Sequence, residues 1–370
     1  MKPFRSNISI RNFKVQIKIS KAFCSSTIFL VILRFFLKSI FHKKNFDIRM
    51  RRLLTGLLCG FIAVFESIAQ QDPQYSQYMF NQMAVNPGYA GSHDAVCLSA
   101  VHRQQWVGFE GAPVTSVFTA NAPFKMFGAS HGAGLTVMSD QYGFYQDVSA
   151  GLDYAFRFPL GQGKMGIGVS GMFLNKALSA TWVIPGANPE DDPGIPGANE
   201  SVTGFDMGVG VYYRADNIYL GISSTHLLEP GLKYADKIVG GVAYNPKFTM
   251  KRHYYAMAGC LLPLNNPAWE VAPSLMVFSD GTASQFTANA NVMYNKKIWG
   301  GVGYRLNEAV IAMVGFELFN GVKIGYSFDY TYTSLHRNFT AGGSHEVMVS
   351  YCFNLVKEKV VKKYKSVRFL

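Results

Sequence analysis

Nowhere in its 370 residues does the sequence offer the run of about twenty apolar residues that a membrane-spanning helix needs. The two nearest approaches are "IFLVILRFFLKSIF", interrupted by Arg34 and Lys38, and the stretch Leu53 to Phe65. Cysteine is scarce, five in all, which excludes a disulfide-dense secreted scaffold. Cys97, Cys260 and Cys352 lie far apart, each in a strand-like run, and are expected to be buried free thiols. No Cys/His spacing matches a zinc site and no acidic loop matches a calcium site. The glycines of "GKMGIGVSG" at 163–171 precede no helix, so they are strand glycines rather than a phosphate loop. The basic excess is equally uninformative about partners. Thirteen of the 35 Lys and Arg and two of the 23 Asp and Glu fall in residues 1–69; the rest, 22 basic against 21 acidic, is nearly neutral. Nothing in that balance points to nucleic acid.

What the first 69 residues do contain is targeting signal. Met50-Arg51-Arg52 is a basic start, Leu53 to Phe65 an apolar core, and Ser67-Ile68-Ala69 places small residues where a signal peptidase reads. Cleavage after Ala69 is expected, leaving Gln70 first. Cys59 sits inside the apolar core after Leu58, which does not fit a lipoprotein site. The expected organisation is an upstream, non-native leader at 1–49, a signal peptide at 50–69, an N-terminal segment at 70–93, a strand-rich body at 94–354 and a basic tail at 355–370.

Beyond Asp94 the chain reads in period two. "NGVKIGYSFDYT" sets Val322, Ile324, Tyr326, Phe328 and Tyr330 against Lys323, Gly325, Ser327 and Asp329. "FYQDVSAGLDYAFRF", "TGFDMGVGVYYR" and "SQFTANANVMYN" alternate in the same way, with charge confined to one face. The runs are about ten to twelve residues, the length a tilted strand needs to cross a bilayer; globular strands average about five or six. Trp269, Phe278, Tyr294, Trp299, Tyr304 and Tyr330 lie near run ends, as interfacial aromatic girdles do.

Fourteen such runs can be counted: 94–106, 113–123, 131–139, 144–158, 164–175, 203–214, 217–225, 252–263, 268–278, 284–295, 297–305, 308–319, 321–332 and 343–354. An even count returns the last strand to the first, and closure is required because backbone groups cannot stay unpaired in hydrocarbon. The expected fold is an all-β, transmembrane antiparallel barrel of about fourteen strands in an outer membrane, with a periplasmic or plug-like N-terminal segment. Asn295-Lys296, Leu306-Asn307 and Asn320-Gly321 read as short turns. Longer connections fall at 176–202, 226–251 and 333–342; the first carries Pro-Gly-Ala-Asn twice and is expected to be an exposed loop.

The N-terminal segment is of a different kind. It reads "DPQYSQYMFNQMAVNPGYAGSHD", rich in Tyr, Gln and Asn and without helical periodicity. Its block Gln74-Tyr75-Ser76-Gln77-Tyr78, Asn81 and Asn86-Pro87-Gly88-Tyr89-Ala90-Gly91, followed by Arg103-Gln104-Gln105-Trp106, resembles the signature of the PorP/SprF family of type IX secretion system outer-membrane proteins. Gly88 stands where that family more often has Ala, a change that reads as mild. The resemblance implies a barrel in the outer membrane of a Gram-negative bacterium that supports export or surface attachment of cargo such as gliding adhesins. It implies partners too: C-terminal sorting domains on the cargo, other type IX secretion components, and membrane lipid. The candidate partner-binding or gating residues are then Gln74, Tyr75, Ser76, Gln77, Tyr78, Asn81, Asn86, Pro87, Gly88, Tyr89, Ala90, Gly91, Arg103 and Trp106.

Two other classes compete. A porin or hydrophobic-solute channel would share the alternating strands, and inward Gly, Ser, Thr and Asn suit a pore as well as a packed lumen. An enzyme would need a nucleophile, base and orienting group converging at one end of the barrel. His93-Asp94, His102, His226, His253, His336 and His345-Glu346 show no such grouping in sequence, and His345 and Glu346 must point to opposite faces. No catalytic residue, cofactor or metal is assigned from the sequence.

Overall fold

A computed structural model describes residues 72–179, 199–239, 242–244, 246–318, 321–333 and 342–354. The leader, the cleavage site, the basic tail and the proline-rich stretch 185–198 lie outside the described residues.

The strands are β1 (Val96–Gln104), β2 (Val114–Met126), β3 (Ala129–Tyr142), β4 (Tyr145–Leu160), β5 (Gly163–Ser179), β6 (Asn199–Arg214) and β7 (Ile218–Thr225) in the first half. Four short strands follow: β8 (Gly231–Lys233), β9 (Lys237–Val239), β10 (Val242–Tyr244) and β11 (Lys247–Thr249). Then come β12 (His253–Cys260), the two-residue β13 (Leu262–Pro263), β14 (Trp269–Ser279), β15 (Ser284–Tyr294), β16 (Ile298–Arg305), β17 (Ala309–Leu318), β18 (Val322–Thr331) and β19 (Ser344–Phe353). β1–β7, β12 and β14–β19 form one antiparallel ring of fourteen strands; β12 pairs with β14 on one side, and β1 pairs with β19 where the chain closes.

The inside-out burial follows from the alternation. Leu152, Phe173, Ile222 and Val302 are each at least 64% exposed and face outward. Their alternate neighbours Asp153, Asp206, Asn291, Ser327 and Asp329 are buried in the lumen. Lipid covers the first set; the second needs hydrogen-bonding partners inside.

β1 begins and β19 ends at one end of the barrel, where the turns are short. There Asn295 and Lys296 both take positive φ (50° and 57°), the backbone of a tight two-residue hairpin turn. The opposite end carries the long connections, and short turns mark the periplasmic side of such barrels. Between β7 and β12 on the outward side, β9 and β10 pair inside the β8–β11 pair, making a nested arch. Leu232 and Met250 of that connection pack against Leu174 of β5.

Three expectations need correction. Cys97 and Cys352 are not free thiols: they face each other across the β1–β19 seam and form a disulfide, leaving Cys260 free. A separation of 255 residues hides a pairing that only barrel closure creates. Trp299 and Phe278 are not girdle residues, being 1% and 3% exposed, because the strand parity turns both inward. Trp269 and Tyr294 do pair on the outside, with ring centroids 4.7 Å apart. Finally, β5 and β6 stay paired as far as Ser179 and Asn199, so the 176–202 connection begins later and ends earlier than expected.

Candidate functional site

Residues 72–94 run inside the barrel. Asp72 meets residues at the outward ends of β7 and β12, while Asp94 meets Arg157 and Lys164 near the short-turn end. The segment therefore threads the lumen from the outward side toward the periplasmic side before turning into β1. It holds three single turns of 3₁₀-helix, at Tyr78–Phe80, Gln82–Ala84 and Pro87–Tyr89. Short turns suit a chain that must direct polar and aromatic groups to all sides within few residues.

Its upper anchor is ionic. Ser76 donates its hydroxyl to Asp329 at 2.7 Å and receives hydrogen bonds from Arg103 (2.8 Å) and Arg305 (3.0 Å). The backbone N–H groups of Ser76 and Gln77 donate to the two carboxylate oxygens of Glu346 at 2.8 and 2.7 Å. Arg103 pairs with Asp329 (2.8 Å) and Glu346 (3.2 Å), and Arg305 with Asp329 (3.0 Å), all four side chains at most 1% exposed. Two guanidinium and two carboxylate groups balance, and the plug's amides supply what Glu346 lacks. Buried charges persist only when paired and hydrogen-bonded in this way.

Below the anchor the contacts become aromatic. Tyr75 and Tyr78 pack with Val101, Val117, Met276, Trp299 and Met348, and the Tyr78 hydroxyl donates to Ser274 at 3.1 Å. The Asn81 side-chain oxygen accepts from Thr119 at 3.0 Å, and Gln82 accepts from Tyr212. Tyr89 meets Tyr212 edge-on at 5.1 Å.

The lowest turn is built around Asn86-Pro87-Gly88. The Asn86 side chain accepts from the Gly88 N–H at 2.9 Å and donates to the wall carbonyls of Val211 and Ile222 at 3.1 and 3.4 Å. Proline opens the turn with its φ already set. Here the wall is glycine: a Cβ on Gly132 would lie 2.0 Å from the Ala90 carbonyl oxygen, and one on Gly168 would lie 2.4 Å from the Gly88 nitrogen. Gly166 and Gly168 of the 163–171 run thus give the plug room. An alanine at 88 would come within 2.9 Å of the Gly166 and Gly210 carbonyl oxygens, so this position is less permissive than it reads in sequence.

At the outward end Asp72 receives hydrogen bonds from Tyr255 (2.7 Å) and Thr225 (3.2 Å) and pairs with His226 at 2.9 Å. Burial alone would lower the His226 pKa, but Asp72 and Asp206 outweigh it and raise it to about 10. For Asp72, burial is likewise overcome, and His226 and His253 hold its carboxyl far below the usual range.

Of the residues singled out from sequence, Tyr75 to Gly91 and Arg103 come together here. Gln74 precedes the anchor in the same segment. Trp106 stands apart in the turn after β1, its backbone N–H donating to the Ser344 hydroxyl at 3.1 Å. Sequence reasoning missed Arg305, the role of Glu346 and Asn289, whose amide donates to the Ser76 carbonyl at 3.0 Å, although polar residues recurring on a lumen-facing parity were the available signal. His345 does face out, toward Tyr326, as its parity demands.

Fold and site together define an outer-membrane β-barrel whose lumen is occupied by its own N-terminal segment. Residues 67–351 match the family of type IX secretion system membrane proteins PorP/SprF, and the chain belongs to that family. No curated protein matches the chain. Among solved structures, the toluene transporter TodX of Pseudomonas putida is similar at 14% identity and a TM-score of 0.41, covering 76% of this chain and 95% of that one. The translocator domain of the autotransporter NalP from Neisseria meningitidis is similar at 13% and 0.40, covering 70% and 87%. Omp33 of Acinetobacter baumannii is similar at 6% and 0.40, covering 70% and 99%.

Proposed function

We propose that this protein serves type IX secretion as a plugged accessory barrel, supporting export or surface attachment of cargo such as gliding adhesins while the cargo crosses the membrane elsewhere. The observation that carries this reading is the filled lumen: Ser76, Gln77, Tyr78, Asn81, Gln82, Asn86 and Ala90 are all at most 3% exposed. A diffusion channel for solutes or hydrocarbons needs the space these side chains occupy. The working partners are cargo sorting domains and periplasmic components that approach the short-turn end. A cavity of about 180 Å³ there brings plug residues Phe80 and Tyr89 together with wall residues Arg214 and Lys323. The test is to replace Tyr78 and Tyr89 together with Ala and follow both barrel abundance and secretion of the dependent cargo. Lost secretion at near-normal abundance supports a docking or gating plug. Lowered barrel levels would assign the two rings to packing alone, and normal values for both would remove the segment from the function.

A further inference from the structure

Asp72, His226 and His253 come from three distant parts of the sequence and meet at the outward end of the lumen. One carboxylate oxygen of Asp72 and one ring nitrogen of each histidine all lie within 4.8 Å of one another. His226 is 6% and His253 0% exposed. Each histidine has one ring nitrogen held by an acceptor: His226 Nδ1 by Asp206 at 2.7 Å, and His253 Nδ1 by the Lys251 carbonyl at 2.9 Å. A metal-bound histidine is oriented in this way, through a hydrogen bond at the ring nitrogen that does not bind the metal. His226 Nε2 is hydrogen-bonded to Asp72 at 2.9 Å, His253 Nδ1 lies 3.7 Å from the other Asp72 oxygen, and His253 Nε2 is buried with no hydrogen-bond partner. The remaining contacts of Asp72 come from the Tyr255 and Thr225 hydroxyls, which would steady it as a ligand.

We propose that Asp72, His226 and His253 form a binding site for a divalent transition-metal ion of the zinc type. Two imidazoles and a carboxylate are a donor set that such ions take, with a fourth position left for water. Asp206 is a positioning residue that orients His226. The ion would join the start of the plug, through Asp72, to the barrel wall, through the histidines. The spacing along the chain gives no hint of this site, because its ligands become neighbours only when the plug is seated.

The experiment uses the tag-free, folded barrel in detergent, stripped with chelator and titrated with zinc chloride by calorimetry. Cobalt chloride serves as a spectroscopic probe of the ligand field. One zinc per chain is expected, with micromolar or tighter affinity. His226→Gln and His253→Gln should each weaken it at least tenfold, and Asp206→Asn should weaken it to a lesser degree. Cobalt should give the visible absorption of a low-coordinate nitrogen and oxygen site in the native protein, a readout that does not depend on any variant folding. Zinc binding absent at 100 µM, or unchanged in both histidine variants, would overturn the proposal and leave the cluster as an ion pair.

Discussion

Gly325 of β18 lies directly beneath Gln77 of the plug, so close that a Cβ there would sit 2.2 Å from the Gln77 side-chain oxygen. Its strand neighbour Ile324 belongs to the opposite, outward face. Substitutions on the two faces of the wall should therefore fail by different routes. Gly325→Leu is expected to keep a folded, heat-modifiable barrel while displacing the plug. Val302→Arg, on the lipid face and 64% exposed, should cost roughly 2–4 kcal/mol and reduce the folded fraction. Gel mobility before and after heating separates the two; a folded Val302→Arg at full yield would contradict the face assignment.

A seated plug makes the resting barrel a poor conductor. In planar bilayers the native protein should show little conductance, whereas Gly168→Leu should raise it, because the wall at Gly168 has no room for a side chain beside Gly88. Large steady conductance from the native chain would show that the segment leaves the lumen.

The ionic anchor should respond asymmetrically to mutation. Removing Arg103 leaves Glu346 buried without a cationic partner and Asp329 with Arg305 alone, and breaking a buried pair in this way costs about 3–5 kcal/mol. Ser76→Ala removes only a hydroxyl from the same cluster, an expected loss of about 1–3 kcal/mol. Urea unfolding followed by tryptophan fluorescence should rank Arg103→Ala well below Ser76→Ala.

The seam disulfide gives a direct chemical readout. Unfolded, oxidised protein should migrate faster than reduced protein on a denaturing gel, since Cys97 and Cys352 close nearly the whole barrel into one loop. Cys97→Ser should abolish the difference and lower stability by about 2–4 kcal/mol. Identical mobility with and without reductant would mean the thiols are not joined.

Much of this architecture was written in local pattern. Period-two alternation located all fourteen ring strands and assigned their faces correctly in the cases of Tyr326, Ser327 and Asp329, because a side chain's face depends only on its own strand's parity. The turn at Asn295-Lys296 was legible for the same reason, since its geometry is set within a few residues. What lay between strands far apart in the chain was not readable. The Cys97–Cys352 bond, the Arg103–Asp329–Arg305–Glu346 anchor and the Asp72–His226–His253 cluster all join residues brought together by closure of the ring or insertion of the plug. Trp299 and Phe278 show a different limit: aromatic chemistry near a run end suits lipid interface or lumen equally, and the parity of their own strands decided the face. Alternation can state that a face is polar; the fold alone supplies the partner that a buried polar group requires.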